Sequence, residues 1–327
     1  MKIVKKLTAE VPDTNIHYFR LDEWSNDDKE TILMYGYDTQ QAPELFKEHR
    51  KYKRKIYLNI TSPTEFSSIK DHHNVSPLYS SAWFDEVYNI CPYSVKWLNE
   101  LNLTNTKYKT IFYPFNHQDI PEETEKIYDV CYHGGIHGDY HIKCLEIMKN
   151  NFNYRYMTMT HHINQLTMQN LHYATDLDMT NKDKINLIAQ CKISICFNNY
   201  PPSPQNIQAI KSHKDWWKNE AFSEVDKTNI IPQFKNRFQE AAFSKTLNLV
   251  QRDKWNVVEE WYTPNEHFIY FDSVEDLQDK VQDILNNWDE YKPIVDRCYD
   301  KTLDYTVSRL YNIIKNPRLS FLHLTSD

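Results

Sequence analysis

The chain has 327 residues and a formal net charge of −7, and this length suits two domains of about 100–200 residues each. The acidic balance argues against a nucleic-acid binder, which would carry a basic stripe able to displace counterions from phosphates. It still permits a small phosphate ligand, because one or two arginines suffice to hold one.

The composition is that of an ordinary globular protein, with 40% hydrophobic and 25% charged residues. No apolar run approaches the ~18–20 residues that cross a bilayer, and the first residues lack the apolar core of a signal peptide. The six cysteines form no CxxC pair, which favours reduced thiols. We therefore expect a cytoplasmic protein without a transmembrane segment. Its abundance of Asn, Ile, Lys and Tyr is typical of an A+T-rich genome, such as that of a virus.

Short β-rich runs alternate with helical patterns in the first part of the chain, which is typical of a parallel sheet wrapped by helices. The predicted strands there are 15–20, 31–35, 55–60, 86–90 and 108–113, and the predicted helices are 42–50 and 93–101. The next segment, 114–126, carries two prolines and has no apolar periodicity. We interpret it as the connection to a second domain.

A second alternating series follows this connection. Its predicted strands are 127–132, 153–158, 192–197, 246–250 and 267–271, and its predicted helices are 138–149, 163–172, 182–190, 233–243, 274–287, 289–300 and 303–315. A polar insertion at 200–230 interrupts the series and contains the adjacent Trp216 and Trp217. We predict an α/β protein with an N-terminal domain at 1–122, a second domain at 123–302 and a C-terminal segment at 303–327 that can cross back to the first.

A glycine cluster marks the start of the second series. The chain has four glycines, and three of them, Gly134, Gly135 and Gly138, fall within five residues between a predicted strand and a predicted helix. Glycine there lets the backbone approach a phosphate, and the helix N-terminus offers free N–H groups and a positive dipole. The spacing is neither GxGxxG nor a P-loop. The cluster therefore predicts either an anion-binding loop or a tight turn only.

A charged pair lies in the predicted helix 233–243. Arg237 and Glu240 are three residues apart, so they share one helix face. An arginine suits a diphosphate because its guanidinium makes forked, charge-assisted hydrogen bonds, and a carboxylate can accept both hydroxyl protons of a ribose. The alternative is a surface ion pair that stabilises little.

The stretches NRFQEAAFSKTLNLVQRD and NEHFIYFDSVEDLQDKVQDIL, together with KIYDVCYHGG upstream, resemble the C-terminal domain of group 1 and spore-maturation CgeB-type glycosyltransferases. The resemblance covers roughly 123–315. It implies the GT-B fold, in which two Rossmann-like domains with parallel sheets face each other across a cleft. The second domain of such proteins holds most of the nucleotide-sugar donor.

The resemblance also implies an activity and roles for the matching residues. A GT-B enzyme of this kind moves a sugar from a nucleotide-diphosphate sugar to an acceptor hydroxyl of a glycan or small molecule, without a metal or other cofactor, and with retention favoured. Gly134 and Gly135 would lie against the donor phosphate or sugar, and Arg237 would neutralise the diphosphate. Glu240 would hold the ribose. No residue is identified as a catalytic base.

Three histidines invite comparison with a zinc site. His133, His137 and His141 recur every four residues, and on one continuous helix they could bind zinc. Gly134 and Gly135 place His133 outside any helix, however, so we predict no metal site. His133 and His137 are instead predicted to contact the donor.

An acidic triplet offers a second metal candidate. Asp176-Leu177-Asp178 matches the DxD pattern that holds a divalent ion in the other major glycosyltransferase fold. Here it leads into the predicted helix 182–190. We interpret it as an acidic turn that caps this helix.

Two other functions remain open at this stage. One is a sugar-nucleotide epimerase on the same fold, and the other is a catalytically silent GT-B-like binding or scaffold protein. The latter is favoured by Pro232, which occupies the position eight residues before Glu240 where many relatives carry an acid.

Overall fold

The computed structural model describes residues 2–3, 31–35, 53–59, 85–101, 106–158, 175–200 and 230–315. The predicted strand 15–20, the predicted helices 42–50 and 163–172, and the pair Trp216-Trp217 lie outside these ranges. Within them, no helix is long and apolar enough to cross a bilayer.

The described chain alternates strands and helices. The strands are β1 (Lys2–Ile3), β2 (Thr31–Tyr35), β3 (Arg54–Asn59), β4 (Glu86–Asn89), β5 (Lys107–Thr110), β6 (Tyr128–His133), β7 (Tyr154–Thr158), β8 (Thr175–Leu177), β9 (Cys191–Cys196), β10 (Asn199–Tyr200), β11 (Ile231–Pro232), β12 (Leu247–Gln251) and β13 (Ile269–Phe271). The α-helices are α1 (Pro92–Leu101), α2 (Gly138–Asn151), α3 (Asn181–Ala189), α4 (Asn236–Phe243), α5 (Val274–Asn286), α6 (Trp288–Leu303) and α7 (Val307–Lys315).

The chain forms two compact units, and each is built from more than one segment. The first unit comprises Met1–Phe115, Asn199–Phe234 and Val307–Asp327, and the second comprises Asn116–Asn198 and Lys235–Thr306. The segment 199–234, which the sequence analysis placed inside the second domain, groups with the first unit.

The first unit contains a five-stranded parallel sheet in the order β1-β2-β3-β4-β5. Glu86 of β4 bridges its neighbours, with Arg54 of β3 at 2.8 Å and Lys109 of β5 at 2.7 Å. Burial alone would raise the pKa of the Glu86 carboxyl, but these two cations outweigh it and lower the pKa. Arg54 also donates to the carbonyl oxygen of Ile314 at 2.7 Å, which ties α7 to this sheet.

The second unit contains a six-stranded parallel sheet in the order β13-β12-β9-β6-β7-β8. The chain runs outward from β6 to β8 on one side, returns to β9 beside β6, and continues to β13 on the other. This is the doubly wound order, and its direction reverses between β6 and β9. Such sheets bind ligands outside the carboxyl ends of their strands at this switch point.

The strands of the second unit read as nearly continuous apolar runs because helices cover both sheet faces. Val130, Ile193, Ile195 and Leu249 have no solvent exposure. Helices α2 and α5 pack together, and α4 packs against α3 and α6. The core of this unit therefore lies between the sheet and these helices.

Short and polar elements differ from the sequence prediction. Strands β1, β8, β10 and β11 carry no periodicity and were not predicted. The interpretation of the acidic triplet as a helix cap is wrong: Asp176 lies in β8, where it accepts a hydrogen bond of 3.0 Å from Arg155. Thr180 caps α3 instead, because its hydroxyl accepts from the Asp183 amide at 3.1 Å.

Helix α4 ends in a Schellman turn without a glycine. The Lys245 amide donates to Ala242 at 3.1 Å and the Thr246 amide donates to Ala241 at 2.9 Å. Lys245 has φ +51°, the left-handed conformation. The backbone therefore adopts, with a lysine, the left-handed geometry that glycine most often occupies at the end of a helix.

We expect Lys245→Gly to stabilise the protein by about 1 kcal/mol, because glycine enters the left-handed region without the steric cost of a Cβ. The midpoint of urea unfolding measures the change. Lys245→Ala is the matched control: it removes the same lysine contacts and keeps the backbone cost, so no gain is expected. An equal gain in both variants would show that the lysine side chain, and not its conformation, is unfavourable.

Candidate functional site

The glycine turn lies at the carboxyl end of β6, directly at the switch point of the second sheet. His133 is the last residue of β6, and Gly134 follows with φ +110°. The Gly134 amide donates to the carbonyl oxygen of Met157 at 2.9 Å, and the Tyr156 hydroxyl donates to the Gly134 carbonyl at 2.8 Å. Gly138, with φ +82°, then begins α2. The turn is thus fixed on both sides before the helix N-terminus.

The absence of a side chain at Gly134 makes room for Arg237. A Cβ built on Gly134 would lie 2.5 Å from Nη2 of Arg237, closer than real Cβ atoms approach. The predicted phosphate loop and the predicted diphosphate-binding arginine are therefore in direct contact, although about a hundred residues separate them.

Arg237 is held in place by an aromatic residue of β6. Its guanidinium carbon lies 4.7 Å from the ring centroid of Tyr132, and its Nη1 donates to the Tyr132 hydroxyl. Burial raises the pKa of Tyr132, so the hydroxyl keeps its proton and donates to the Gly135 carbonyl at 2.5 Å. Tyr132 thereby joins the arginine to the glycine turn.

Glu240 lies one helical turn beyond Arg237 and is 1% exposed. Its Oε1 accepts from Lys184 Nζ at 2.9 Å and from Asn236 Nδ2 at 3.1 Å, and its Oε2 lies 2.9 Å from His133 Nε2. Burial would raise the pKa of the carboxyl, but Lys184 and His133 outweigh burial and lower it. Glu240 is therefore ionised at neutral pH, and the alternative of a surface ion pair is wrong.

The three histidines of the rejected zinc hypothesis have different partners. His133 faces Glu240, whereas the His141 ring stacks on Phe197 with centroids 3.8 Å apart. His137 occupies the position before α2, and its amide donates to His141 Nδ1 at 3.2 Å. In the described part of the chain, no group of three or more potential ligands could hold a metal ion.

The charges in this cluster favour an anion. Arg237 and Lys184 are cations, and Glu240 is the carboxylate they surround. The N-terminus of α2 adds a positive dipole beside the glycine turn. We define the residues His133, Gly134, Lys184, Arg237 and Glu240 as the switch-point cluster.

Two members of this arrangement escaped the sequence analysis. Lys184 lies in α3, 56 positions before Glu240, and nothing in its local pattern separates it from the neighbouring Lys182. Tyr132 reads as an ordinary core residue of a strand. Only the fold brings either of them to the site.

The lysine of the KIYDV stretch lies away from the cluster. Lys126 Nζ donates to the Ala189 carbonyl at 2.7 Å, to Thr246 Oγ1 at 3.1 Å and to the Ser244 carbonyl at 3.3 Å. These carbonyls belong to the ends of α3 and α4, where a cation complements the helix dipole. Lys126 is therefore a structural residue that joins two helices.

Pro232, the departure from the expected acid, is buried in β11 and pairs with Asn199 of β10. Its carbonyl accepts a weak hydrogen bond from Cys91 Sγ at 3.7 Å. The position supplies no carboxylate.

Comparison with known proteins agrees with this architecture. Residues 180–313 match the family model described as glycosyl transferase-like. No curated protein matches the sequence. Among solved structures, HepE of Anabaena, in complex with UDP and glucose, aligns with a TM-score of 0.58 at 11% identity, over 89% of this chain and 78% of that one. The fold of the chain is therefore that of GT-B glycosyltransferases, and residues 180–313 carry the glycosyl transferase-like pattern.

Two further structures support this fold assignment. Sucrose-phosphate synthase of Thermosynechococcus elongatus aligns with a TM-score of 0.58 at 8% identity, over 90% of this chain and 74% of that one. TarM of S. aureus aligns with a TM-score of 0.54 at 11% identity, over 90% of this chain and 55% of that one. The chain thus spans little more than half of TarM. The predicted α/β class and the predicted GT-B fold are confirmed.

Proposed function

We propose that this protein is a glycosyltransferase that transfers a sugar from a uridine diphosphate sugar to an acceptor hydroxyl, and that the switch-point cluster holds the diphosphate. The contact between Arg237 and the Gly134 turn carries this proposal. The guanidinium of Arg237, which can donate two parallel hydrogen bonds to a phosphate, lies against the backbone of Gly134. Both lie near the N-terminus of α2, at the switch point where doubly wound sheets bind nucleotides.

The choice of base and acceptor follows from the structural neighbours. HepE was crystallised with UDP and glucose, and TarM with UDP and α-GlcNAc-glycerol. We infer a uridine nucleotide for this chain and a glycan or small hydroxylated molecule as acceptor. A cytoplasmic location stays a prediction.

Sugar transfer requires stabilisation of the leaving group, which is the nucleoside diphosphate. As the glycosidic bond to the donor breaks, negative charge grows on the diphosphate, and preorganised positive groups lower the barrier most. We infer that Arg237 and the N-terminus of α2 stabilise this charge, and we propose that the donor is held without a metal ion. Retention of configuration follows from the family resemblance alone.

Calorimetric titration with UDP in the presence of EDTA tests the site. We expect Arg237→Ala to raise the Kd about 10–150-fold, because it removes charge-assisted hydrogen bonds of about 1.5–3 kcal/mol. The matched control is Arg297→Ala, which removes an exposed arginine of α6 in the same unit, and its affinity should be unchanged.

The outcomes separate the function from the site. If the unaltered protein binds neither UDP nor any other nucleoside diphosphate, the proposed function is wrong. If it binds UDP and Arg237→Ala binds equally well, the function survives and the site assignment fails. If binding needs a divalent ion, the proposal of a metal-free donor site is wrong.

A catalytically silent binding protein is the second candidate, and Pro232 favours it because no acid stands at that position. Release of UDP from UDP-sugars, followed with and without hydroxylated acceptors, decides between the two. Tight binding without any turnover across the donor and acceptor panel would support the silent binder.

A further inference from the structure

We propose that Lys184 is a donor-binding residue, whose ammonium group contacts the diphosphate beside Arg237. The proposal rests on the proposed function and deepens it. Neither the sequence pattern nor the family resemblance assigned this lysine a role.

The first observation is that Glu240 is already occupied. An ionised carboxylate has about four accepting positions. This one accepts from Lys184 and Asn236 through one oxygen, and His133 Nε2 lies 2.9 Å from the other. It is also almost wholly buried. A ribose could reach it only by displacing one of these partners. We therefore infer that Glu240 holds its neighbours in position and does not itself contact the ligand.

The second observation is the difference in exposure within the cluster. The Lys184 side chain is 22% exposed, whereas those of Glu240 and His133 are 2% and 3% exposed. Long cationic side chains bury their stem and keep the ammonium group near water. Lys184 is thus the member of this ion-paired set through which a ligand can reach positive charge.

The third observation is the position of α3. The helix leads into β9 after the single residue Gln190, so it runs back along the sheet and its first turn lies at the carboxyl edge of the strands. Lys184 is in that turn. The Gly134 turn lies at the same edge, and Lys184 and His133 contact opposite oxygens of one carboxylate.

Charge balance indicates what this lysine adds. Arg237 and Glu240 alone would carry opposite charges that cancel, leaving the dipole of α2 as the remaining source of positive charge. Lys184 makes the cluster net positive, which a multiply charged anion requires in a partly desolvated site. We infer that its contribution grows with the number of phosphates on the ligand.

The experiment measures the Kd of uridine, UMP and UDP for the unaltered protein and for Lys184→Met. We expect at least about a tenfold increase in the Kd of UDP, a smaller increase for UMP and no change for uridine. Lys182→Met is the matched control, because Lys182 is an exposed residue of the same helix, and it should leave all three affinities unchanged.

A double variant separates direct contact from an effect through Glu240. Lys184→Met leaves a buried carboxylate with less compensation, which itself repels phosphate and weakens the fold. Lys184→Met/Glu240→Gln removes both charges, so no buried carboxylate is left without its lysine partner and the double variant is expected to fold. If Lys184 contacts the diphosphate, UDP affinity stays at least about fivefold weaker in the double variant.

The other outcomes of these titrations distinguish failure of the Lys184 proposal from failure of the proposed function. Recovery of UDP affinity in the double variant would reduce Lys184 to a partner of Glu240 and overturn the proposal. Equal losses for uridine and UDP would do the same, because they indicate a nucleoside contact or a general defect. Failure of the unaltered protein to bind UDP would refute the proposed function, whereas unchanged binding by Lys184→Met refutes this inference alone.

Discussion

Glu240→Ala should destabilise the protein by about 1–3 kcal/mol, the cost of leaving polar partners at a buried site without their acceptor. Lys184 and Asn236 lose their acceptor at once, and His133 loses the carboxylate that lies 2.9 Å from its Nε2. Reversible urea unfolding, monitored by circular dichroism, measures the loss. Glu260→Ala, at an exposed acid of the same unit, is the control and should stay within about 0.5 kcal/mol. A loss as small as the control would mean that the carboxylate is not compensated by these partners.

The same carboxylate predicts a pH dependence. Because the folded state lowers the pKa of Glu240 below its ordinary value of 4.5, the ionised carboxylate stabilises the fold above that pH. This stabilisation is lost progressively as the pH falls below about 4.5 towards the lower folded value. Glu240→Gln should therefore lose less stability than the unaltered protein on acidification from pH 5. If the free energy of unfolding fell equally for the two proteins on acidification, the lowered pKa of Glu240 would be contradicted.

Gly134→Ala should impair both stability and donor binding. The new methyl group would meet Nη2 of Arg237 at 2.5 Å, and an alanine would have to hold φ +110°. Such a conformation costs a non-glycine residue about 1–3 kcal/mol. The displaced guanidinium would also leave the diphosphate, so we expect the Kd of UDP to rise about as much as in Arg237→Ala.

A double-mutant cycle distinguishes the two effects. When Arg237 is already alanine, the methyl group meets no guanidinium, so Gly134→Ala should add little further loss of UDP affinity. The backbone cost should persist in the unfolding free energy. Fully additive losses of affinity would show that Gly134 contacts the ligand independently of the arginine.

Part of the site could be predicted because its signals are local. Glycine is rare in this chain, so the cluster at 134–138 stands out, and Arg237 and Glu240 share a helix face at a spacing of three. Lys184 and Tyr132 gave no such signal, because their roles depend on tertiary contacts. The left-handed turn at Lys245 was equally hidden, since lysine is not a residue that marks this conformation.

The same distinction applies to the fold. Buried strands of the second unit are long apolar runs, so β6, β9 and β12 were predicted nearly residue by residue. The polar strand β8 and the short strands β10 and β11 lack that pattern. The hydrophobic pattern of a strand does not indicate which strands lie beside it in the sheet. The grouping of 199–234 with the first unit likewise reflects contacts between distant segments.

The division of the second unit into two chain segments bears on how the protein is made. His133 and Lys184 belong to the earlier segment, and Arg237 and Glu240 to the later one, beyond the excursion at 199–234. During synthesis β9 emerges well before β12, which later pairs with its free edge. At roughly 5–20 residues per second, that edge stays open for seconds on the ribosome. A nascent chain in this interval has an unpaired strand edge and an incomplete switch-point cluster, so we expect it to be open to mispairing.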